Sequence, residues 1–280
     1  PSVHELAING KGVLIGMIDY GFRWKTHEAL KNIQVIAEHD FIFNDDNTAD
    51  EANDPLGQDY HGTATLSLVG GFMPGQLIGT AYGASFILGK TEYLPTETRV
   101  EEDNWVAGIE WMESRGVDIV SSSLGYTLFD SPDRSYTYQD MNGRTATTSK
   151  AAVIAVRKGV VVCNAMGNEG GTAWHYMISP ADADSIISVG AVSLFGVLAS
   201  FSSVGPTSDG RIKPDVVAPG INVYYALTPG PNTYDRWNGT SFSCPLTAGV
   251  AALVLSAHPE FTPIQVRDAL RSTASRATRP

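Results

Sequence analysis

The chain has 280 residues, 43% of them hydrophobic and 18% charged, and a formal net charge of -11. That balance excludes a disordered chain, and the absence of any lysine or arginine run disfavours phosphate-bearing partners, whether nucleic acid or an anionic membrane surface. No apolar stretch approaches the roughly 18 residues that cross a bilayer, and residues 1–10 lack the regions of a signal peptide, so any leader is expected to have been removed.

In chain order, the first strand is expected over residues 12–18, where an apolar run ends in Asp19. Further short apolar runs at 86–89, 117–121, 159–163 and 186–192 have the character of parallel strands covered on both faces. Between them, Val106, Ile109 and Met112 recur every three residues in a helix predicted over 101–115, with Gly116 placed as its cap. Residues 151–158 repeat that design and stop at Gly159. Strands alternating with helices imply an α/β fold, a mostly parallel central sheet with helices on both faces, and the length suits one domain over residues 1–280. Long connections at 44–60, 125–144 and 205–238 are of the kind that face ligands. Cys163 and Cys244 both lie in apolar runs, which favours two buried free thiols over a disulfide.

The segment Asn238-Gly-Thr-Ser-Phe-Ser-Cys-Pro runs from a polar turn into a helix of small and apolar residues, with Ser241 at its start. Free amides and the positive end of the helix dipole favour negative charge there, as an acyl-transfer nucleophile requires. In isolation the serine would be a helix cap. This segment closely resembles the nucleophile motif of the subtilisin family. Val13-Leu-Ile-Gly-Met-Ile-Asp-Tyr-Gly resembles the strand that ends in the family's aspartate, Asp19, and His61-Gly-Thr resembles the start of its histidine helix. The order Asp, His, Ser is that of the subtilisins. Val160-Val-Val-Cys-Asn-Ala-Met-Gly-Asn resembles the strand and turn that present the oxyanion asparagine, here Asn168. Phe201-Ser-Ser-Val-Gly-Pro and Lys213-Pro-Asp-Val-Val-Ala-Pro-Gly extend the likeness, which runs from about residue 10 to about residue 270.

The resemblance implies a three-layer subtilisin-like fold and a serine endopeptidase in which His61 takes the proton of Ser241, Asp19 orients the imidazole and Asn168 stabilises the oxyanion. It further implies that Ser123, Leu124 and Gly125 line the substrate cleft as a strand rail, with Trp105 near a more distant pocket and Glu169 beside the oxyanion asparagine. Glu101, Glu102, Asp103 and Glu169 suggest tolerance for basic substrate side chains, against the blander reading of a solvated helix N-terminus. Protein or peptide substrates, a monomer, secretion, a removed propeptide and no cofactor for the chemistry are expected on the same ground.

Departures from the family pattern temper this. Tyr20 stands where a small hydroxyl residue usually supports the aspartate, so Asp19 is expected to be less firmly held. Phe242 replaces the methionine that often follows the nucleophile. Residues 70–77 do not reproduce the family's calcium loop, and metal ligands stay unassigned; the acidic stretch 44–59 offers a different calcium site or a solvated loop. Two other functions compete: a subtilisin-fold peptide binder without catalysis, and a nucleotide-binding protein suggested by Gly21 and Gly167. The second lacks a phosphate-loop or dinucleotide fingerprint.

Overall fold

The apolar runs form strands whose alternate side chains face opposite helical layers. The computed structural model describes residues 2–277; Pro1 and residues 278–280, at the ends of the expected domain, lie outside the described residues. In chain order the elements are α1 (Ser2–Glu5), β1 (Leu14–Asp19), β2 (Gln34–Asp40), α2 (Tyr60–Gly70), β3 (Phe72–Met73), β4 (Leu77–Ile78), β5 (Ser85–Lys90), α3 (Arg99–Glu113) and β6 (Ile119–Ser122). There follow α4 (Thr147–Arg157), β7 (Val161–Ala165), β8 (Ile187–Val192), β9 (Val216–Pro219), β10 (Val223–Leu227), β11 (Thr233–Trp237), α5 (Thr240–Ala257) and α6 (Pro263–Thr273).

Seven strands make one sheet in the order β2-β5-β1-β6-β7-β8-β9, and every neighbouring pair is parallel. Ile15, Met17, Phe86, Leu88, Ile119, Val161 and Cys163 pack with residues of α2, α5 and α6. Ile18, Ile87, Val120 and Val162 pack instead with Trp105, Ile109 and Met112 of α3 and Ala152 and Val156 of α4. This period of two within nearly continuous apolar runs produces the expected three layers.

The edge strands β2 and β9 escape the sequence reading because one side of each meets solvent; β2 carries Glu38, His39 and Asp40 in place of a plain apolar run. Helix α3 starts two residues before the predicted boundary, since Thr98 and Glu101 form a capping box in which Thr98 N donates to Glu101 Oε2 at 2.6 Å. Gly116 and Gly159 take left-handed conformations with φ of 77° and 105°, as predicted for caps.

Helix α5 corrects the statement that no apolar stretch reaches membrane-spanning length: it has 18 residues with a mean hydropathy of 1.5, and 67% of it is buried inside the fold. It is apolar all round because the sheet covers one side while α2 and α6 cover others. Its approach is close. A Cβ added at Gly249 would lie 1.7 Å from Thr80 Oγ1.

The C-terminal ends of β1, β6 and β7 and the N-termini of α2 and α5 converge on one edge of the sheet. Ligands of open parallel sheets bind outside the carboxyl ends of the strands, and that edge carries the candidate residues.

Candidate active site

Asp19 closes β1 and is 1% exposed. Its Oδ1 accepts the Tyr20 N–H at 2.8 Å and meets His61 Nδ1 at 2.6 Å, while Oδ2 accepts the Thr65 hydroxyl at 3.0 Å. The expectation that Tyr20 leaves Asp19 loosely held is therefore corrected. Thr65, one helical turn after His61 on α2, supplies the hydroxyl, and Tyr20 supplies its own amide. The Tyr20 ring packs edge-on to the imidazole, with centroids 5.7 Å apart.

His61 is the second residue of α2, and Gly62 after it lets the helix approach β1. A Cβ at residue 62 would fall 2.1 Å from the Gly21 carbonyl oxygen and 2.9 Å from Asp19 Cβ. Because Asp19 engages Nδ1, the other ring nitrogen is directed away from the carboxylate and left for proton exchange. Burial alone would lower the pKa of this ring, but the charge of Asp19 and the hydrogen bond to it hold the imidazole above its usual value.

Ser241 is the second residue of α5 and is 9% exposed. Its hydroxyl leans toward the Ser123 carbonyl at 3.4 Å, and Ser123 Oγ in turn donates to the Ser241 carbonyl at 2.9 Å. These contacts pin the helix start to the end of β6. The Ser241 N–H belongs to the first turn, whose amides lack partners within the helix itself.

Asn168 follows β7. Its Oδ1 accepts both the Thr240 N–H at 2.9 Å and the Thr240 hydroxyl at 3.1 Å, and Thr240 Oγ1 accepts the Gly167 N–H at 3.2 Å. With the oxygen so occupied, the amide cannot flip without losing two donors, and Nδ2 is the end left free. The fold has thus fixed which face of the amide is presented.

Tyr20, His61, Ser123, Leu124, Gly125, Asn168, Glu169 and Ser241 line one cleft of about 400 Å³. Trp105 does not line it. Its ring is fully buried on α3, with Nε1 donating to Ser122 Oγ at 2.9 Å, because Trp105 lies on the same apolar stripe as Ile109 and Met112. The acidic start of α3 also differs from both sequence readings: Glu101 caps the helix, and buried Glu102 pairs with Arg99 at 2.6 Å and accepts from the Tyr136 hydroxyl at 3.0 Å. Only Asp103 of the three is exposed.

The acidic stretch 44–59 is tied down by protein groups. Lys90, at the end of β5 and fully buried, places its ammonium 2.8 Å from Asp40 and 2.7 Å from Asp54. Asp50 accepts the amides of Asp59 at 2.6 Å and Gly57 at 2.9 Å, and Arg23 reaches Asp59 at 2.8 Å. Gln58 then fastens the loop to the cleft, donating to the Tyr20 and Glu92 carbonyls and accepting the Leu94 N–H at 2.9 Å. Among the described residues, no group of three or more His, Cys, Asp or Glu is arranged to hold a metal ion. Cys163 and Cys244 are buried free thiols.

A family model for the subtilases matches residues 10–280. The chain belongs to the subtilase family. It is 32% identical over 280 residues to subtilisin NAT of Bacillus subtilis subsp. natto and to subtilisin E of Bacillus subtilis strain 168, covering 98% of this chain and 64% of each relative. The chain therefore spans a little under two thirds of those proteins. Against a subtilisin of Bacillus pumilus the identity is 31%, with 98% of this chain and 88% of that one covered. A solved cold-adapted subtilisin-like serine proteinase superimposes with a TM-score of 0.74 at 26% identity, over 95% of this subtilase and 84% of that chain. The protease domain of PatA shares the fold, with a TM-score of 0.73 at 22% identity, covering 96% and 90% of the two chains.

Sequence reasoning on this subtilase missed Thr65 and Thr240 as supporting residues, and Glu92 and Glu97 as cleft residues. For Thr65 a signal existed, its four-residue spacing from His61 on one helix. For Thr240 there was none, since its partner Asn168 lies 72 residues away in the chain.

Proposed function

We propose that this subtilase is a serine endopeptidase that hydrolyses protein or peptide substrates through an acyl-enzyme. The observation that carries the reading is the Asp19–His61 contact at 2.6 Å beside Ser241 and an Asn168 amide whose oxygen is already taken. In the reaction the Ser241 hydroxyl turns from the Ser123 carbonyl toward His61, loses its proton to the ring and attacks the substrate carbonyl. Asn168 Nδ2 and the Ser241 N–H receive the developing oxyanion. His61 then protonates the leaving amine, water takes the place of that amine, and the same ring accepts its proton while the acyl-enzyme is hydrolysed. Asp19 stabilises the imidazolium throughout without becoming protonated. Ser123, Leu124 and Gly125 offer the substrate backbone a strand edge.

A fluorophosphonate probe tests the reading: labelling is expected in this chain and lost in Ser241→Ala, and an unlabelled but folded chain would favour the peptide binder. Asn168→Ala is expected to lower kcat about 10²–10³-fold, a magnitude carried over from the subtilisins, with KM little changed because the amide acts on the oxyanion and not on the bound amide. Steady-state kinetics on one peptide substrate separate the two parameters.

Catalysis requires a neutral His61, and its raised pKa keeps the ring protonated to higher pH than usual. The acid limb of kcat/KM is accordingly expected to have its midpoint above about 6.5, the ordinary histidine value. A midpoint well below that value would contradict the Asp19 pairing.

We infer one catalytic domain over the described residues, acting as a secreted monomer, without nucleic-acid or membrane partners and without a cofactor for the chemistry. The charge of -11 and the burial of α5 support the absence of those partners. In the 44–59 stretch, Lys90 and Arg23 supply the positive charge that a calcium ion would bring. A chelator is expected to leave Tm unchanged, and a fall of several degrees would restore the calcium reading.

A further inference from the structure

One wall of the cleft holds carboxyl groups that the fold leaves without a positive partner. Glu92 is 2% exposed yet lines the cleft. Its Oε1 accepts the hydroxyls of Tyr126 and of Thr91, the latter at 2.9 Å, while Oε2 has no hydrogen-bond partner among the described residues. Glu97 lines the same wall, and among the described residues its carboxyl group takes neither a hydrogen bond nor an ion pair. Three glutamates, Glu92, Glu97 and Glu169, line the cleft, and no lysine or arginine does. Arg99, close in sequence, is committed elsewhere: it pairs with Glu102 at 2.6 Å and stacks over the Phe129 and Tyr136 rings.

We propose that Glu92 and Glu97 form a specificity subsite for a lysine or arginine side chain of the peptide substrate, whose charge supplies the cation missing from this wall. The proposal rests on the peptidase reading and deepens it. It also moves the acidic determinant from the start of α3, where Glu101 and Glu102 are engaged in the fold, to the segment that precedes it.

The energetics favour a cationic occupant. Burial raises the pKa of Glu92 well above the usual carboxylate value, even with the Tyr126 hydrogen bond acting against the rise. Burial, then the charges of Glu101, Asp130 and Glu102, push Glu97 up to about 7. Around the two carboxyls stand Tyr20 after β1, Thr91 after β5, Tyr126 after β6, Glu101 and Glu102 of α3 and Asp130, with His61 of α2 on the same cleft. Glu97 is therefore protonated below about pH 7 and ionised above it, while burial favours the neutral form of Glu92. An incoming ammonium or guanidinium favours their ionised forms, so preference for a basic side chain grows as the pH rises through about 7 and fades below it. The titration of His61 acts on every substrate alike and cancels in a ratio.

The test uses quenched peptides that differ only in lysine or norleucine at each position from four before to two after the cleaved bond. At one position the lysine-to-norleucine ratio of kcat/KM is expected to be about tenfold at pH 8.5 and about twofold at pH 5.5. Glu97→Gln, at a partly exposed site, should bring the pH 8.5 ratio down to about two, and adding Glu92→Gln should abolish it. A ratio near one at every position and pH, or a preference that survives both substitutions, overturns the subsite. Fluorophosphonate labelling of Ser241 in the same samples separates the failures: labelling with no lysine preference removes the subsite alone, whereas no labelling removes the peptidase reading and the subsite with it.

Discussion

Ser241→Ala is expected to lower kcat/KM on a peptide substrate by about 10⁶-fold, with the chain still folded. The hydroxyl stands on the first turn of α5 and shares its cleft with a carboxamide whose donor end is free and a ring whose Nδ1 is held by Asp19. Removing the oxygen leaves the ring with no proton to take. His61→Ala should cost a similar amount, and the double variant little more than either alone, because the two side chains perform one step together. A residual rate over water of about 10³-fold is expected from Asn168 and the Ser241 N–H, which survive both changes. Burst kinetics on an activated ester, with active sites counted by fluorophosphonate titration, read these effects without interference from a trace of intact enzyme. A loss below about a hundredfold would place the nucleophile elsewhere.

The largest effect on stability is expected from Lys90→Met. The ammonium is fully buried between Asp40 and Asp54. Burial disfavours the charged form, but the hydrogen bonds and charges of both aspartates more than offset this, and the lysine pKa is raised. Methionine fills similar space and leaves two buried carboxylates facing each other, a change of the kind that costs about 3–5 kcal/mol. Thermal melts should show Tm lower by roughly 5–15 °C for a chain of this size. Restoring neutrality with Asp40→Asn and Asp54→Asn in the same chain should recover much of the loss, since those substitutions remove the stranded charges. If Lys90→Met alone melts within a degree of the parent, the triad is not what holds the 44–59 loop. The loop ends at Asp59, just before the helix that carries His61, so the same variant is expected to weaken catalysis as well as the fold.

Much of this was legible in the chain. The central strands could be read because both their faces are covered, which makes them continuous apolar runs. The edge strands could not, because β2 mixes Glu38, His39 and Asp40 with apolar residues and only its pairing with β5 defines it. The triad and Asn168 were readable from short motifs whose glycines and small residues reflect close backbone approach, as at Gly62. What motifs do not encode is which distant group satisfies a given oxygen. Thr65 on Asp19 and Thr240 on Asn168 depend on a helix register and on a contact across 72 residues. Trp105 was placed near a pocket by the resemblance alone, and the register of α3 overrides it, because the buried face of that helix runs through 105, 109 and 112.

The docking of α5 against β6, β7, β8 and β9 has a bearing on when cutting can begin. A ribosome must pass Ser241, at the start of α5, before the hydroxyl and the amide clamp on Asn168 exist together. Without α5 the Asn168 oxygen lacks both of its Thr240 donors and the cleft lacks its hydroxyl, so the proposed chemistry waits on the docking of that helix.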